Sequence, residues 1–428
     1  TTMSEYQEII DRLPKQMLAG EDNRLEILHQ VLDALGHPEH QYQIIHVAGT
    51  NGKGSTGSLV ARFLITSGYK VGHFNSPAMI SDREQVLVNG NLISKDDFVT
   101  TFKKILCALP DYMTEQDLTI FEWWTVVMLQ YFADQAVDWA VIECGLGGQD
   151  DATNVIDAPA LAVITHLALD HTQILGSKIE DIAKAKAGII KYQTRALVVA
   201  PNQPEAAKEI LAQRAQEADV PLVEAASRGQ VKLADGTAKV KMGEEQFTCP
   251  CNLHGHYQTE NLTTALAIVE QLRQGGVTID QTMLEKVLQR VTFPGRMEAI
   301  DHDPLVILDG AHNPDAAKQM VATIQEDFAD RPVTMVLGFL ADKDVERMVT
   351  MYQQVADHLI FTTPDNHGRA MDSWPLATAM GHEWAPDARE ALELARELTP
   401  TNGVIIVTGS FYLIKELEEG LNDESLDR

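Results

Sequence analysis

The chain has little cysteine, little positive charge and no long apolar run. Four cysteines in 428 residues cannot make a disulfide framework. Cys107 and Cys144 sit in apolar contexts, where buried free thiols are expected. Cys249 and Cys251 form a Cys-Pro-Cys pair, and no second Cys or His pair nearby completes a zinc site. No apolar run approaches the ~20 residues of a membrane helix, and no basic-then-apolar leader opens the sequence. A reduced, cytoplasmic protein is the expectation. Basic residues are scarce: 34 Lys+Arg against 62 Asp+Glu give a net charge of −28. So acidic a chain is a poor general binder of nucleic acid or of an anionic membrane surface. There is no internal repeat and no low-complexity segment.

What is present is an ordinary globular composition, 45% hydrophobic and 22% charged, long enough for two domains. Short β-branched runs alternate with longer amphipathic stretches, the pattern of α/β layers around a parallel sheet. Strands are expected at 43–49, 137–145, 160–167, 196–201, 305–310, 333–339, 358–363 and 403–409. Helices are expected at 55–67, 120–133, 179–187, 260–274, 280–290, 314–328 and 388–398. The stretch 222–254 reads as a hairpin or meander appended to the first domain. The boundary is expected at VTFPGRMEAI, around Pro294-Gly295, giving domains 1–297 and 298–428. They carry −12 and −16, so the smaller one is the more acidic per residue.

The strongest motif is HVAGTNGKGS, residues 46–55: an apolar strand, a Gly-rich turn, Lys53, a hydroxyl and a helix start. Glycines let the backbone turn and aim N–H groups inward, the helix N-terminus adds a positive end, and Lys53 adds a point charge. The spacing is a variant of the usual phosphate loop, with Gly54 between Lys53 and Ser55. The alternative is a Gly-rich turn with no ligand. Residues 40–81 hold Lys53, Arg62 and Lys70 and no Asp or Glu, as if kept free for an anion. A second positive stretch, 178–195, holds Lys178, Lys184, Lys186, Lys191 and Arg195 against Glu180 and Asp181. A solvated helix face accounts for Lys184 and Lys191.

GTNGKGS resembles the loop of the Mur ligase superfamily. NSPAMISDREQV (75–86), VIECGLGGQDDATN (141–154), ALDHTQILG (168–176), IAKAKAGIIK (182–191), LDGAHNP (308–314) and VTGSFYL (407–413) extend the likeness. Together they resemble folylpolyglutamate synthase, including its bifunctional dihydrofolate synthase form, over residues 40 to 413. The resemblance implies a mostly parallel P-loop-type α/β domain followed by a smaller Rossmann-like α/β domain. It implies an ATP-dependent ligase that phosphorylates a carboxylate and joins the acyl phosphate to an amine. The substrates would be ATP, folate and L-glutamate, with two Mg²⁺ sites. The acidic charge leaves nucleic acid and membrane out as expected partners, and nothing in the sequence suggests an obligate dimer, so a monomer is expected.

The family's site residues map onto Gly49, Thr50, Asn51, Gly52, Lys53, Gly54 and Ser55 as the phosphate loop. Glu143, ending an apolar strand, is placed for Mg²⁺ by its position at a strand C-terminus; a capping or loop contact is the other reading. By resemblance Ser76 joins it on the first Mg²⁺ and His171 binds a second. Lys186 matches a lysine that becomes carbamylated. Asn261 matches a contact to the adenine end of ATP, although a helix N-cap explains an Asn there equally well. Arg296, Asp309 and His312 match residues that reach ATP from the second domain, which implies closure before chemistry. Ser410 is expected on the glutamate side. Three loop positions depart from the family: Ala78, Gln85 and Gln149. The segment 18–36 lies where bifunctional members carry a dihydropteroate-binding loop, and no clear version of it is present. One alternative is a dihydrofolate synthase or bifunctional enzyme. The other, from a different class, is a degenerate nucleotide-binding paralogue. A peptidoglycan ligase would need a nucleotide-sugar domain ahead of the loop.

Overall fold

A computed structural model describes residues 4–15, 23–76, 81–293, 295–366 and 368–426. Ala78, Pro294 and residues 18–22 of the N-terminal segment lie outside the described residues. The chain forms two compact units. The first comprises residues 1–232, 238–250 and 260–289; the second comprises 233–237, 251–259 and 290–428.

The first unit is built on eight strands: β1 (Gln43–Ala48), β2 (Val71–Phe74), β3 (Val86–Val88), β4 (Asn91–Leu92), β5 (Trp139–Glu143), β6 (Leu161–Ile164), β7 (Ala196–Val199) and β8 (Leu222–Glu224). Their order is β4-β3-β2-β5-β1-β6-β7-β8. The six from β2 to β8 in that order are parallel, and β3 and β4 add an antiparallel edge. Every residue of β2, β5, β6 and β7 is buried, as strands covered on both faces require. Ala140 and Ile142 join one apolar cluster with the helices Arg24–Ala34, Lys95–Ala108 and Ile120–Asp134. Ala162, Ile164, Leu197 and Val199 join another with the helices Ile179–Ala187 and Glu205–Glu217. The helix Ile120–Asp134 starts on a capping box: Thr119 and Glu122 each accept the other's backbone N–H.

Register places the site. Val47 pairs with Glu143 on one side and with Val163 on the other, while Phe74 pairs with Ile142. The C-terminal ends of β1, β2, β5 and β6 therefore lie side by side. Successive strands depart to opposite sides of β1, and at such a point an open α/β sheet leaves a crevice.

Three further strands, β9 (Gly229–Ala234), β10 (Thr237–Met242) and β11 (Glu245–Pro250), form a separate sheet. Tight turns at Asp235-Gly236 and Gly243-Glu244 join them. The expected meander is thus present but shorter. Leu222–Glu224 is instead the last strand of the large sheet, pairing parallel with β7. Its apolar Leu-Val continues that core, which a two-residue alternation cannot reveal.

The second unit holds β12 (Glu298–His302), β13 (Leu305–Leu308), β14 (Val333–Leu337), β15 (His358–Phe361), β16 (Glu383–Trp384) and β17 (Val404–Thr408), ordered β12-β13-β17-β14-β15-β16. All neighbours are parallel except β12 with β13. Alternate residues divide between two cores. Ile307, Met335, Leu337, Leu359, Phe361 and Ile406 pack with the helices Pro314–Asp327 and Val345–Gln353. Val306, Leu308, Val336, Ile360, Ile405 and Val407 pack with Ala388–Leu398 and Phe411–Leu426. All four cysteines are free thiols, but Cys107 is exposed, contrary to expectation. Its helix buries Phe98, Val99, Thr101, Phe102 and Ile105, which leaves position 107 on the outer side.

Candidate active site

The phosphate loop leaves β1 at Gly49 and enters the helix Lys53–Thr66 through Gly52, which is left-handed at φ 87. A Cβ on Gly49 would lie 1.7 Å from Thr165 Oγ1, and one on Gly52 would lie 2.2 Å from Asn261 Oδ1. Only glycine lets the loop approach those neighbours so closely. The first intrahelical bond runs from Thr56 N to Gly52 O, so the N–H groups of Lys53, Gly54 and Ser55 form the open first turn. No side chain caps it. Thr50 and Asn51 are placed differently. Both donate their N–H to His166 O, at 3.0 and 3.1 Å. Thr50 Oγ1 also donates to Ala168 O at 3.0 Å. They shape the loop rather than supply its free backbone donors.

Lys186 is buried at 4% exposure, and its Nζ donates to Gly49 O at 3.0 Å. Burial first, and then the charge of Lys53, bring its amine down to about 8. Sequence positions 53 and 186 are therefore joined in space. Two other parts of the positive stretches are not. Arg62 lies nine residues along the helix, about 14 Å from Lys53. Lys70 lies past its other end. Lys191 is no solvated residue: it donates to Asn154 O and Ile156 O, both at 3.2 Å, and burial lowers its pKa. Lys184 is exposed as expected.

Glu143 ends β5 and is 1% exposed. Its Oε1 lies 2.9 Å from His73 Nε2, while Oε2 is buried with no hydrogen-bond partner among the described residues. Such a carboxylate oxygen is expensive to bury unless something further binds it. Ser76 is half-buried, two residues past the end of β2, the strand beside β5. His171 is half exposed in a left-handed conformation at φ 49, and its N–H is held by Asp170 Oδ1 at 2.9 Å. Asn261 is buried beside Gly52, with Thr56 Oγ1 at 3.5 Å. It lies inside the helix His256–Gln274, so the helix-cap reading does not hold.

His73 was not anticipated; a lone His within a four-residue strand gives no chemical signal. Asp151 is a second omission. It is buried and accepts from Gly145 N (3.0 Å), Leu146 N (2.9 Å), Thr153 N (3.1 Å) and Thr153 Oγ1 (2.5 Å). It thereby ties the GLGG loop to the turn Ala152–Val155. Burial pushes its carboxyl up, and these donors oppose the shift. Gln149, one of the departures, is exposed and joins through its backbone: its N–H donates to Ala185 O (2.7 Å) and its carbonyl accepts from Asn154 Nδ2 (2.9 Å). Gln85 is buried and donates to Asp82 O at 3.0 Å.

In the second unit Arg296 and His312 lie against Phe411, Ser410 is next to it in sequence, and Asp309 holds the backbone of Met297 and Ala311. The Arg296 guanidinium stacks 4.3 Å from the Phe411 ring centroid. The His312 ring lies 6.0 Å from the same ring, and its Nδ1 sits 2.9 Å from Gly310 O. Asp309 is buried and accepts from Tyr257 Oη, Met297 N (2.9 Å) and Ala311 N (2.8 Å). Burial raises its pKa. Asn313 caps the helix Pro314–Asp327 through Ala316 N at 2.8 Å, which explains the HNP of the motif. Ser410 is buried, and its Oγ accepts from Tyr412 N at 3.1 Å. Phe411 and Tyr257 were also absent from the sequence expectations, because aromatic residues at helix starts read as core.

Comparison with known proteins assigns the class first. Residues 47–269 match the Mur ligase middle domain, and residues 295–411 match the Mur ligase glutamate ligase domain. The dihydrofolate synthase/folylpolyglutamate synthase of Bacillus subtilis is 32% identical over 97% of this chain and 99% of that protein. Folylpolyglutamate synthase of Mycobacterium tuberculosis, solved with ADP and AMPPCP, superposes with a TM-score of 0.82 at 29% identity, covering 96% of each chain. The bifunctional enzyme of Yersinia pestis, solved with AMPPNP and a Mn ion, gives 0.83 at 28% identity, covering 97% of each. The chain belongs to the dihydrofolate synthase/folylpolyglutamate synthase family of Mur ligases.

Proposed function

We propose that this protein is an ATP-dependent amide ligase that adds L-glutamate to a folate through an acyl phosphate. One observation carries the reading: Lys186 is held on the phosphate loop beside Lys53, close to the strand end that presents Glu143. Two lysines and an open helix N-terminus suit a triphosphate and the charge that develops on the transferred phosphoryl group. An oxygen of the substrate carboxylate attacks the γ-phosphorus and ADP leaves. The glutamate amine then attacks the acyl carbon, loses a proton, and phosphate leaves.

Among these residues, Glu143 fits a divalent cation through its unpartnered buried oxygen. Ser76 would join Glu143 on that ion, and His171 would hold a second. When bound, such an ion neutralises phosphate charge. His73 orients the Glu143 carboxylate. The lowered pKa of Lys186 gives its amine a neutral fraction near pH 8, which carbamylation requires. Gly52, Lys53, Gly54 and Ser55 contact the phosphates, with Gly49, Thr50 and Asn51 shaping the loop. Asn261 lines the adenine end. On the second unit, Arg296, Asp309 and His312 are the residues we assign to ATP from the family likeness, and Asp309 holds the loop backbone at Met297 and Ala311. Ser410 lies toward glutamate. The two matched regions support an ATP-binding domain at 1–297 and a ligase domain at 298–428.

Polyglutamylation is the primary activity, with dihydropteroate as a second acceptor because the Bacillus relative carries both names. Gln85 and Gln149 do not argue for a degenerate paralogue: one holds its own turn, the other acts through its backbone. No described helix is long and apolar enough to cross a membrane. Four free thiols suit a reducing compartment, which supports a cytoplasmic site of action, and we take the chain as a monomer. The test is incubation with ATP, Mg²⁺ and labelled glutamate across a panel of tetrahydrofolates and dihydropteroate, read by product mass. Glutamate-extended folate is expected. Product from dihydropteroate alone would make it the synthase, and no amide product from any pterin would overturn the ligase reading.

A further inference from the structure

At the other end of β1 from the phosphate loop lies a cluster that this chemistry does not use. The turn Pro38–His40 links the helix Arg24–Ala34 to β1. Glu39 is 4% exposed, so its carboxylate has been taken out of water. Its Oε1 lies 2.9 Å from His37 Nδ1 and 3.6 Å from His40 Nε2. Its Oε2 is buried with no hydrogen-bond partner among the described residues. The His37 and His40 rings stack at 4.8 Å with 9° between their planes. The three ligand atoms all lie within 4.8 Å of one another.

A buried carboxylate needs compensating charge. Protonating His37, which its bonds to Glu39 and Asp33 favour, is one source of that charge, but it leaves Glu39 Oε2 unpartnered. One divalent cation supplies it with both rings neutral. His37 is also braced as a ligating histidine is: its far nitrogen, Nε2, lies 2.8 Å from Asp33 Oδ1. A carboxylate on the second ring nitrogen fixes the tautomer and directs the first nitrogen to the metal. Two nitrogens and one carboxylate oxygen suit zinc and its first-row neighbours better than magnesium. Exposed His40 leaves a side open for solvent as a fourth ligand.

We propose that His37, Glu39 and His40 bind a zinc-class divalent ion, distinct from the nucleotide-linked metal, that pins the turn ahead of β1. The proposal does not depend on the ligase reading. Binding of Zn²⁺ and Co²⁺ is to be measured on the untagged full chain by calorimetry and visible absorption. A Glu143→Gln background removes a competing metal ligand. One equivalent of Zn²⁺ should bind there, raise Tm, and with Co²⁺ give the absorption bands of a four-coordinate ion. His40→Ala, at an exposed position, should weaken binding at least about tenfold and remove the Tm rise. Asp33→Asn should weaken it about tenfold by releasing His37. Glu39→Gln, which keeps the shape, should also lose it. Equal Zn²⁺ affinity in the parent, His40→Ala and Glu39→Gln chains, or no binding by the parent, would overturn the proposal.

Discussion

At the residue scale, the candidate site depends on a few close approaches. Lys53 is half-buried at the start of its helix, and its role is electrostatic. Lys53→Ala should lower kcat/KM for ATP by at least about 100-fold. The urea midpoint should stay unchanged, since little packing is lost; unchanged turnover would contradict a phosphate role. Gly49 is the opposite case. A methyl group there would meet Thr165 Oγ1 at 1.7 Å, so Gly49→Ala should destabilise the first unit by about 2–3 kcal/mol. Urea unfolding of the variant checks this. Lys53 and Gly49 could be named from the motif. Their partners Lys186 and Thr165 lie more than a hundred residues away, where spacing carries no signal.

At the element scale, strand register and loop ties assemble the site. The parallel pairing of β1 with β5 and β6 aligns Val47, Glu143 and Val163. Asp151 then fixes the loop that follows β5. It satisfies four donors from one buried carboxylate, so Asp151→Ala should leave them unpaired and lower stability by about 2–3 kcal/mol. Thermal unfolding measures the loss, and a Tm equal to the parent's would refute the tie. The strands with unbroken β-branched runs were legible because burial on both faces demands them. Short strands such as Asn91–Leu92 and Glu383–Trp384 were not, since both are exposed and borrow their geometry from a neighbour.

At the scale of the whole molecule, charge and protonation govern behaviour with pH. His46 lies fully buried in β1, its Nε2 2.8 Å from Thr153 Oγ1, and burial lowers its pKa to about 3. The unfolded chain takes up this proton near pH 6.5. Between those values the unfolded state binds more protons, so stability falls as pH drops below about 6.5. From pH 8 to pH 5 His46 should remove about 2 kcal/mol. His46→Gln should show that much less loss over the same range in urea unfolding. Equal losses in both proteins would mean that His46 is protonated in the folded state. The charge of −28 says nothing of this, because it counts groups without their burial.

The amino-acid sequence by itself determined the layered α/β class, the phosphate loop and the family. Those depend on local periodicity and on motifs that are continuous in the chain. It also marked Glu143, Lys186, Asp309 and Arg296 as candidates. Only the tertiary structure decided that Lys186 reaches Gly49, that Glu143 shares one oxygen with His73, and that Arg296 stacks on Phe411. It also decided that the positive stretch 40–81 contributes Lys53 to the loop but not Lys70. Net charge along a segment is a sum over residues. A binding site depends on direction and distance, and those exist only once the chain has folded.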